Sequence, residues 1–83
     1  MTLVFGYQEN EYRLKLFTVD PTREIKPGTM YVVQVPDKDA RTFCKVVSEK
    51  FEFLESETEI KRWFGIAEFP AIIGEYEIKE TIW

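Results

Sequence analysis

The hydrophobic pattern of this chain first changes period at Ser56. Before that point apolar residues come in short runs with a spacing of two. That is the repeat of a strand, whose successive side chains point to opposite faces. Met1–Tyr7 is rich in Val, Phe and Tyr and reads as a first strand. In Tyr12–Val19, Tyr12, Leu14 and Leu16 share one face and Arg13 and Lys15 the other. Phe17 and Val19 then break the polar face, which predicts cover on both sides at the end of that strand. Asp20–Glu24 and Pro27-Gly28 are turns by their residue chemistry, with Ile25 between them as an anchor. Thr29–Val35 and Arg41–Ser48 follow as two strands joined through Pro36–Ala40, most simply as a hairpin. Glu49–Glu55 alternates around Phe51 and Phe53 and is expected to continue the preceding strand across a bend.

From Ser56 the period becomes helical. Ser56 and Glu59 form a capping box, in which each side chain satisfies the other's backbone N–H. Ile60, Trp63 and Phe64 fall on one face, Glu57 and Lys61 are spaced for an ion pair, and Gly65 suits a left-handed cap. The spacing predicts one helix over Glu57–Phe64, docked through Ile60, Trp63 and Phe64. Pro70 blocks its continuation. Ala71–Trp83 then reads as the last strand. Tyr76, Ile78 and Ile82 lie on one of its faces, and Glu75, Glu77, Lys79, Thr81 and Trp83 on the other. The expected architecture is a β-rich α+β fold. It is a small, partly closed barrel of about five or six strands, with one short helix before the last strand. At 83 residues the chain is expected to be a single domain.

Composition narrows the chemistry. There is no histidine and only one cysteine, Cys44, which excludes an internal disulfide and leaves no ordinary zinc ligand set. A nucleophile would lack its usual base. Cys44, between Phe43 and Val46 in a predicted strand, reads as a small core hydrophobe. The carboxylates Glu52, Glu55, Glu57 and Glu59, or Glu75 and Glu77, could pair for acid–base work, but their spacing equally describes solvated faces. No calcium loop and no phosphate-cradling glycine loop is present. No enzyme activity, cofactor or metal is therefore expected. No apolar run approaches the length of a membrane span, and the first residues lack the basic start of a signal peptide. With one thiol, a reducing cytoplasm is the expected setting.

The charge is uneven. Residues 1–48 hold seven Lys/Arg against six Asp/Glu, and residues 49–83 hold four against nine, for a net charge of −4. Aromatics make up 16% of the chain, and both Trp lie in the acidic part. The leading expectation is a non-catalytic protein-binding module. Its surface would be built from Glu75, Glu77, Trp83 and Phe69, with Trp as the anchor and a basic groove on the partner. The alternative is a barrel that binds single-stranded nucleic acid through Arg13, Lys15, Arg41 and Lys45, with Tyr12 and Tyr31 as stacking platforms. Against that, Tyr12 and Tyr31 share faces with aliphatic residues, as core positions do. The sequence leaves self-association open.

The segment Ile25-Lys26-Pro27-Gly28-Thr29-Met30-Tyr31-Val32-Val33, followed by Phe43-Cys44-Lys45-Val46-Val47, resembles the entry hairpin of small SH3-like barrels. Such hairpins occur in the N-terminal domain of the primosomal DNA helicase and in many short bacteriophage proteins. The resemblance covers residues 1–48. It implies a small barrel and an accessory or inhibitor protein of a phage or mobile element. The capped helix and acidic last strand depart from the pattern, and no functional residue is carried over.

Overall fold

A computed structural model of the chain describes residues 1–36 and 40–76. The elements are β1 (Thr2–Gln8), β2 (Lys15–Thr18), β3 (Met30–Val35), β4 (Ala40–Val46), β5 (Phe51–Glu52), α1 (Glu57–Phe64) and β6 (Ala71–Glu75). The sheet runs β2-β6-β3-β4-β1, and β1 pairs back onto β2, so five strands close into a barrel. The closing pair, β2 with β6, is parallel through Thr18 and Ala71, and every other pair is antiparallel. This is the expected β-rich small barrel, and its closure removes the long open edges that a flat sheet would present. Among the described residues no helix is long and apolar enough to cross a membrane.

β1 makes the closure possible. Its residues Leu3–Gly6 pair with β2, and Gly6–Gln8 pair with β4. At the crossing, a Cβ on Gly6 would stand 2.6 Å from the Lys45 carbonyl oxygen and 3.2 Å from the Phe17 ring. Only glycine allows the two backbones to approach so closely.

The expected hairpin is β3 with β4, in register from Met30↔Lys45 to Val35↔Ala40. The expected bend after it is also present. β5 lies further along the same edge of β1, with Leu3 opposite Phe51. At the bend Val47 N–H donates to the Phe5 carbonyl at 2.9 Å. The Phe5 N–H finds the Ser48 hydroxyl at 2.8 Å, so a side chain stands in for a ladder carbonyl. Lys50 Nζ then donates to the carbonyls of Pro21 and Arg23 at 2.8 and 2.7 Å, tying the bend to the β2–β3 connection.

Among the described residues two apolar clusters result. Inside the barrel, Val4, Phe17, Val19, Tyr31, Val33, Cys44, Val46 and Ile72 pack together. Outside it, Leu3 and Leu16 meet Ile60 of the helix and Phe69, with Phe5, Phe51 and Phe53 at the margin. β2 is thus covered on both faces, Leu16 outward and Phe17 inward, as the break in its polar face predicts. Tyr31 is core, and its hydroxyl accepts the Lys26 N–H at 2.9 Å.

The helix spans Glu57–Phe64, as its spacing predicts. Ser56 Oγ accepts the Glu59 N–H at 3.3 Å, and Lys61 pairs with Glu57 at 3.0 Å. Its docking differs from expectation, however. Ile60 alone is buried, while Trp63 is 56% and Phe64 47% exposed. Eight residues make little more than two turns, so only one side chain points squarely at the barrel. A second correction concerns the strand expected over Tyr12–Val19, which starts only at Lys15. Glu9 adopts a left-handed φ of 53°, and the Glu11 N–H closes a turn onto the Gln8 carbonyl. Residues 9–14 therefore form the connection, and Tyr12 is left 98% exposed. The last strand is described as Ala71–Glu75. The expected faces with Ile78, Ile82, Glu77 and Trp83 lie outside the described residues.

Candidate functional site

The helix ends in a way that builds a groove. Gly65 takes a left-handed φ of 65°, its N–H bonds to the Arg62 carbonyl, and the Ile66 N–H bonds to that of Lys61. This pair of bonds is the Schellman arrangement, and it turns the chain sharply off the helix. Residues 66–70 then run back across the end of the barrel. Phe69 anchors them by packing with Leu16 and Ile60, and the Pro70 carbonyl accepts the Thr18 N–H at 3.0 Å. Opposite lies the β1–β2 connection. Between the two is a groove of about 600 Å³, within the range of small-ligand and side-chain pockets.

Phe69 and Leu16 are buried at the floor of the groove, and Leu14, Phe64 and Ile66 form an exposed apolar rim. Arg13, Lys15, Glu11 and Glu68 supply its charges, with Lys15 paired to Glu11 at 2.8 Å. Equal numbers of cations and anions line it, so its selectivity rests on apolar shape more than on net charge. Trp63 stands exposed beside Phe64 on the helix.

The residues expected to bind a protein are not gathered at one place among the described residues. Phe69 is a floor residue of the groove. Glu75 sits six residues further along, about 20 Å away in extended chain. Glu77 and Trp83 lie outside the described residues. The four expected basic residues divide into pairs. Arg13 and Lys15 line the groove. Arg41 and Lys45 are exposed on β4, where Lys45 faces Tyr7 and Met30 across the sheet. Lys15 opposes Gly6, the neighbour of Tyr7, so strand alternation sends it to the opposite face.

Sequence reasoning missed the rim role of Leu14 and Phe64, since each matched a core period. The one available signal was the pair of turn-prone residues Glu9-Asn10, which places Leu14 close to a connection. Cys44 is fully buried, and burial pushes its thiol up to about 11, with a smaller opposing effect from the Tyr31 N–H. A thiolate nucleophile there is disfavoured at neutral pH. Among the described residues no group of three or more Cys, Asp and Glu is placed to hold a metal ion.

In comparison with known proteins, no family model, no curated protein and no solved structure matches this chain.

Proposed function

We propose that this chain is a non-catalytic protein-binding module whose working surface is the groove between the β1–β2 connection and the α1–β6 connection. The observation that carries the reading is the set of exposed large apolar side chains, Leu14, Phe64 and Ile66, that line a recess with the buried Phe69. Scattered exposed hydrophobes need no explanation, but a cluster rimmed by charges marks an interaction surface. The partner is a protein that inserts an apolar side chain over Phe69, between Leu14 and Phe64. Binding of this kind concentrates its energy in a few desolvated anchors. An accessory or inhibitory role for a small phage-type protein fits such a surface.

The test is affinity capture from cell lysate with the parent chain and with a Leu14→Ser, Phe64→Ser variant, followed by mass spectrometry. Both side chains are about half exposed, so the variant keeps its fold. A protein retained by the parent and lost from the variant supports the reading. For that partner, single truncations at the rim should each weaken binding by about 2 kcal/mol. Identical captures by both chains remove the groove from consideration.

A further inference from the structure

The outer wall of β3, β4 and β6 carries a second surface, on the side of the barrel that the helix does not cover. Residues directly opposite in a sheet point to the same side, so register assigns this face. Tyr31, Val33 and Cys44 point into the barrel. Their neighbours Val32, Phe43 and Lys45 therefore point out, together with Arg41 two residues before Phe43. Arg41 and Lys45 are both exposed, about 13 Å apart along the strand, with Phe43 midway between them. The ring of Tyr76, 40% exposed, lies 5.4 Å from that of Phe43 and tilted by 37°. Beside them Gly74 faces Val32, and a Cβ there would meet nothing within 4 Å. The result is a half-exposed aromatic pair next to a bare stretch of strand, flanked by two cations.

The outward positions of β3 and β4 carry charge opposite in sign to that of the chain as a whole. Among the described residues the outward positions of β3 and β4 hold Met30, Val32, Gln34, Arg41, Phe43 and Lys45, with no carboxylate. Glu75 opposes Tyr31 on the alternate side of the strand, and with Glu24 and Lys26 it lines a shallow recess at the Met30 and Tyr76 margin of the face. The Glu9 carboxylate accepts from the Thr42 hydroxyl at 2.8 Å, at the β1 margin of the face. A net charge of −4 should repel a polyanion, yet the outward positions of β3 and β4 are basic and aromatic.

We infer that the outer face of β3, β4 and β6 is a binding platform for single-stranded nucleic acid. Bases stack on Phe43 and Tyr76 over the gap at Gly74, and Arg41 and Lys45 hold the flanking phosphates. Stacking on an aromatic pair is tolerant of base identity, and two cations give only a modest electrostatic contribution. The platform therefore takes short unpaired segments rather than duplex, whose bases are already stacked. It is independent of the groove, which lies across the β1–β2 connection.

The experiment is fluorescence anisotropy with labelled oligo(dT), oligo(U) and a duplex of equal length, at low and moderate salt. Saturable binding of either single strand, stronger than that of the duplex, is expected. Its logarithm should fall with log salt at a slope of about −1.4 for two phosphate contacts. Oligo(dU) set against oligo(U), which shares its base, identifies the sugar preferred. Arg41→Glu with Lys45→Glu, both at exposed positions, should weaken binding more than tenfold. Phe43→Leu keeps the side chain's bulk, removes its π-face, and should weaken binding about fivefold or more. Arg13→Glu with Lys15→Glu should leave it unchanged. Absence of saturable binding overturns the inference. So does equal binding of the duplex, or binding that survives the Arg41 and Lys45 reversals and is lost with those of Arg13 and Lys15.

Discussion

Gly6→Ala is the sharpest perturbation of this barrel. The added methyl would sit 2.6 Å from the carbonyl oxygen of Lys45, whereas carbon and oxygen normally approach to about 3.3 Å. The crossing strands must separate by about 0.7 Å or the methyl must tilt into the Phe17 ring, which is fully buried and already 3.2 Å away. Neither neighbour yields easily, because β4 is held by β3 on its other side. Overpacking of this kind costs roughly 1–3 kcal/mol. Alanine recovers about 0.4–1 kcal/mol by narrowing the unfolded ensemble. The net expectation is a loss of about 1–2 kcal/mol, which for a chain of this size lowers Tm by roughly 4–16 °C. Urea unfolding followed by Trp fluorescence and by far-ultraviolet circular dichroism measures it. Gly74→Ala is the internal control, since a Cβ there enters open space, and it should be neutral or stabilising by up to about 1 kcal/mol. If Gly6→Ala matches the parent, or Gly74→Ala costs as much, the close crossing of β1 and β4 is not what shapes the barrel.

The helix separates packing from exposure. Ile60→Ala should cost about 2–5 kcal/mol, while Trp63→Ala should change unfolding free energy by less than about 0.5 kcal/mol, both read from the same denaturation curves. Ser56→Ala removes the side-chain acceptor for the Glu59 N–H and should cost about 1 kcal/mol, with helical ellipticity retained under native conditions. A thiol reagent should label Cys44 slowly in the folded chain and rapidly in urea; fast native labelling would contradict its burial. The same thiol sets an alkaline limit. Its folded pKa of about 11 lies above the ordinary 9.0, so its contribution is intact below pH 9 and lost as the pH rises to about 11, where the unfolded chain ionises first. Cys44→Ala should flatten that part of the stability profile, seen as the difference between the two pH curves.

Much of the architecture was legible because strand and helix periods are local. Ser56, Glu57 and Gly65 mark the helix unambiguously, since capping and left-handed φ depend on neighbours within one turn. The bend after Val46 was legible from the renewed alternation at Phe51. Exposure was less legible. Leu14 and Leu16 occupy equivalent positions in the sequence pattern, yet Leu16 is buried beneath the helix and Leu14 is on a rim. What separates them is where β2 begins, which the left-handed Glu9 and the Gly6↔Lys15 pairing decide together. The same holds for Trp63. Its helical spacing from Ile60 is correct, but a helix this short has too little contact with the barrel to cover it. The expected site residues were scattered for a related reason. Glu75 and Phe69 share a short stretch of sequence, but extended chain carries them about 20 Å apart. The cation pair of β4 became meaningful only once register placed Phe43 and Tyr76 beside it.

The parallel contact between Thr18 and Ala71 bears on how quickly this molecule can assemble. Ring closure joins positions roughly fifty residues apart, and the entropy of that long loop is spent before the closing bonds repay it. The β3–β4 hairpin has the shortest loop to close and is the natural place for structure to begin. β1 must then wait for partners from three separate stretches of chain. Chains dominated by distant pairings fold on timescales of about milliseconds to seconds. A fragment ending before the helix would lack both β6 and the Ile60 cover over Leu3 and Leu16. It should therefore remain unfolded instead of persisting as a smaller barrel, so that the molecule is acquired, and lost, in one step.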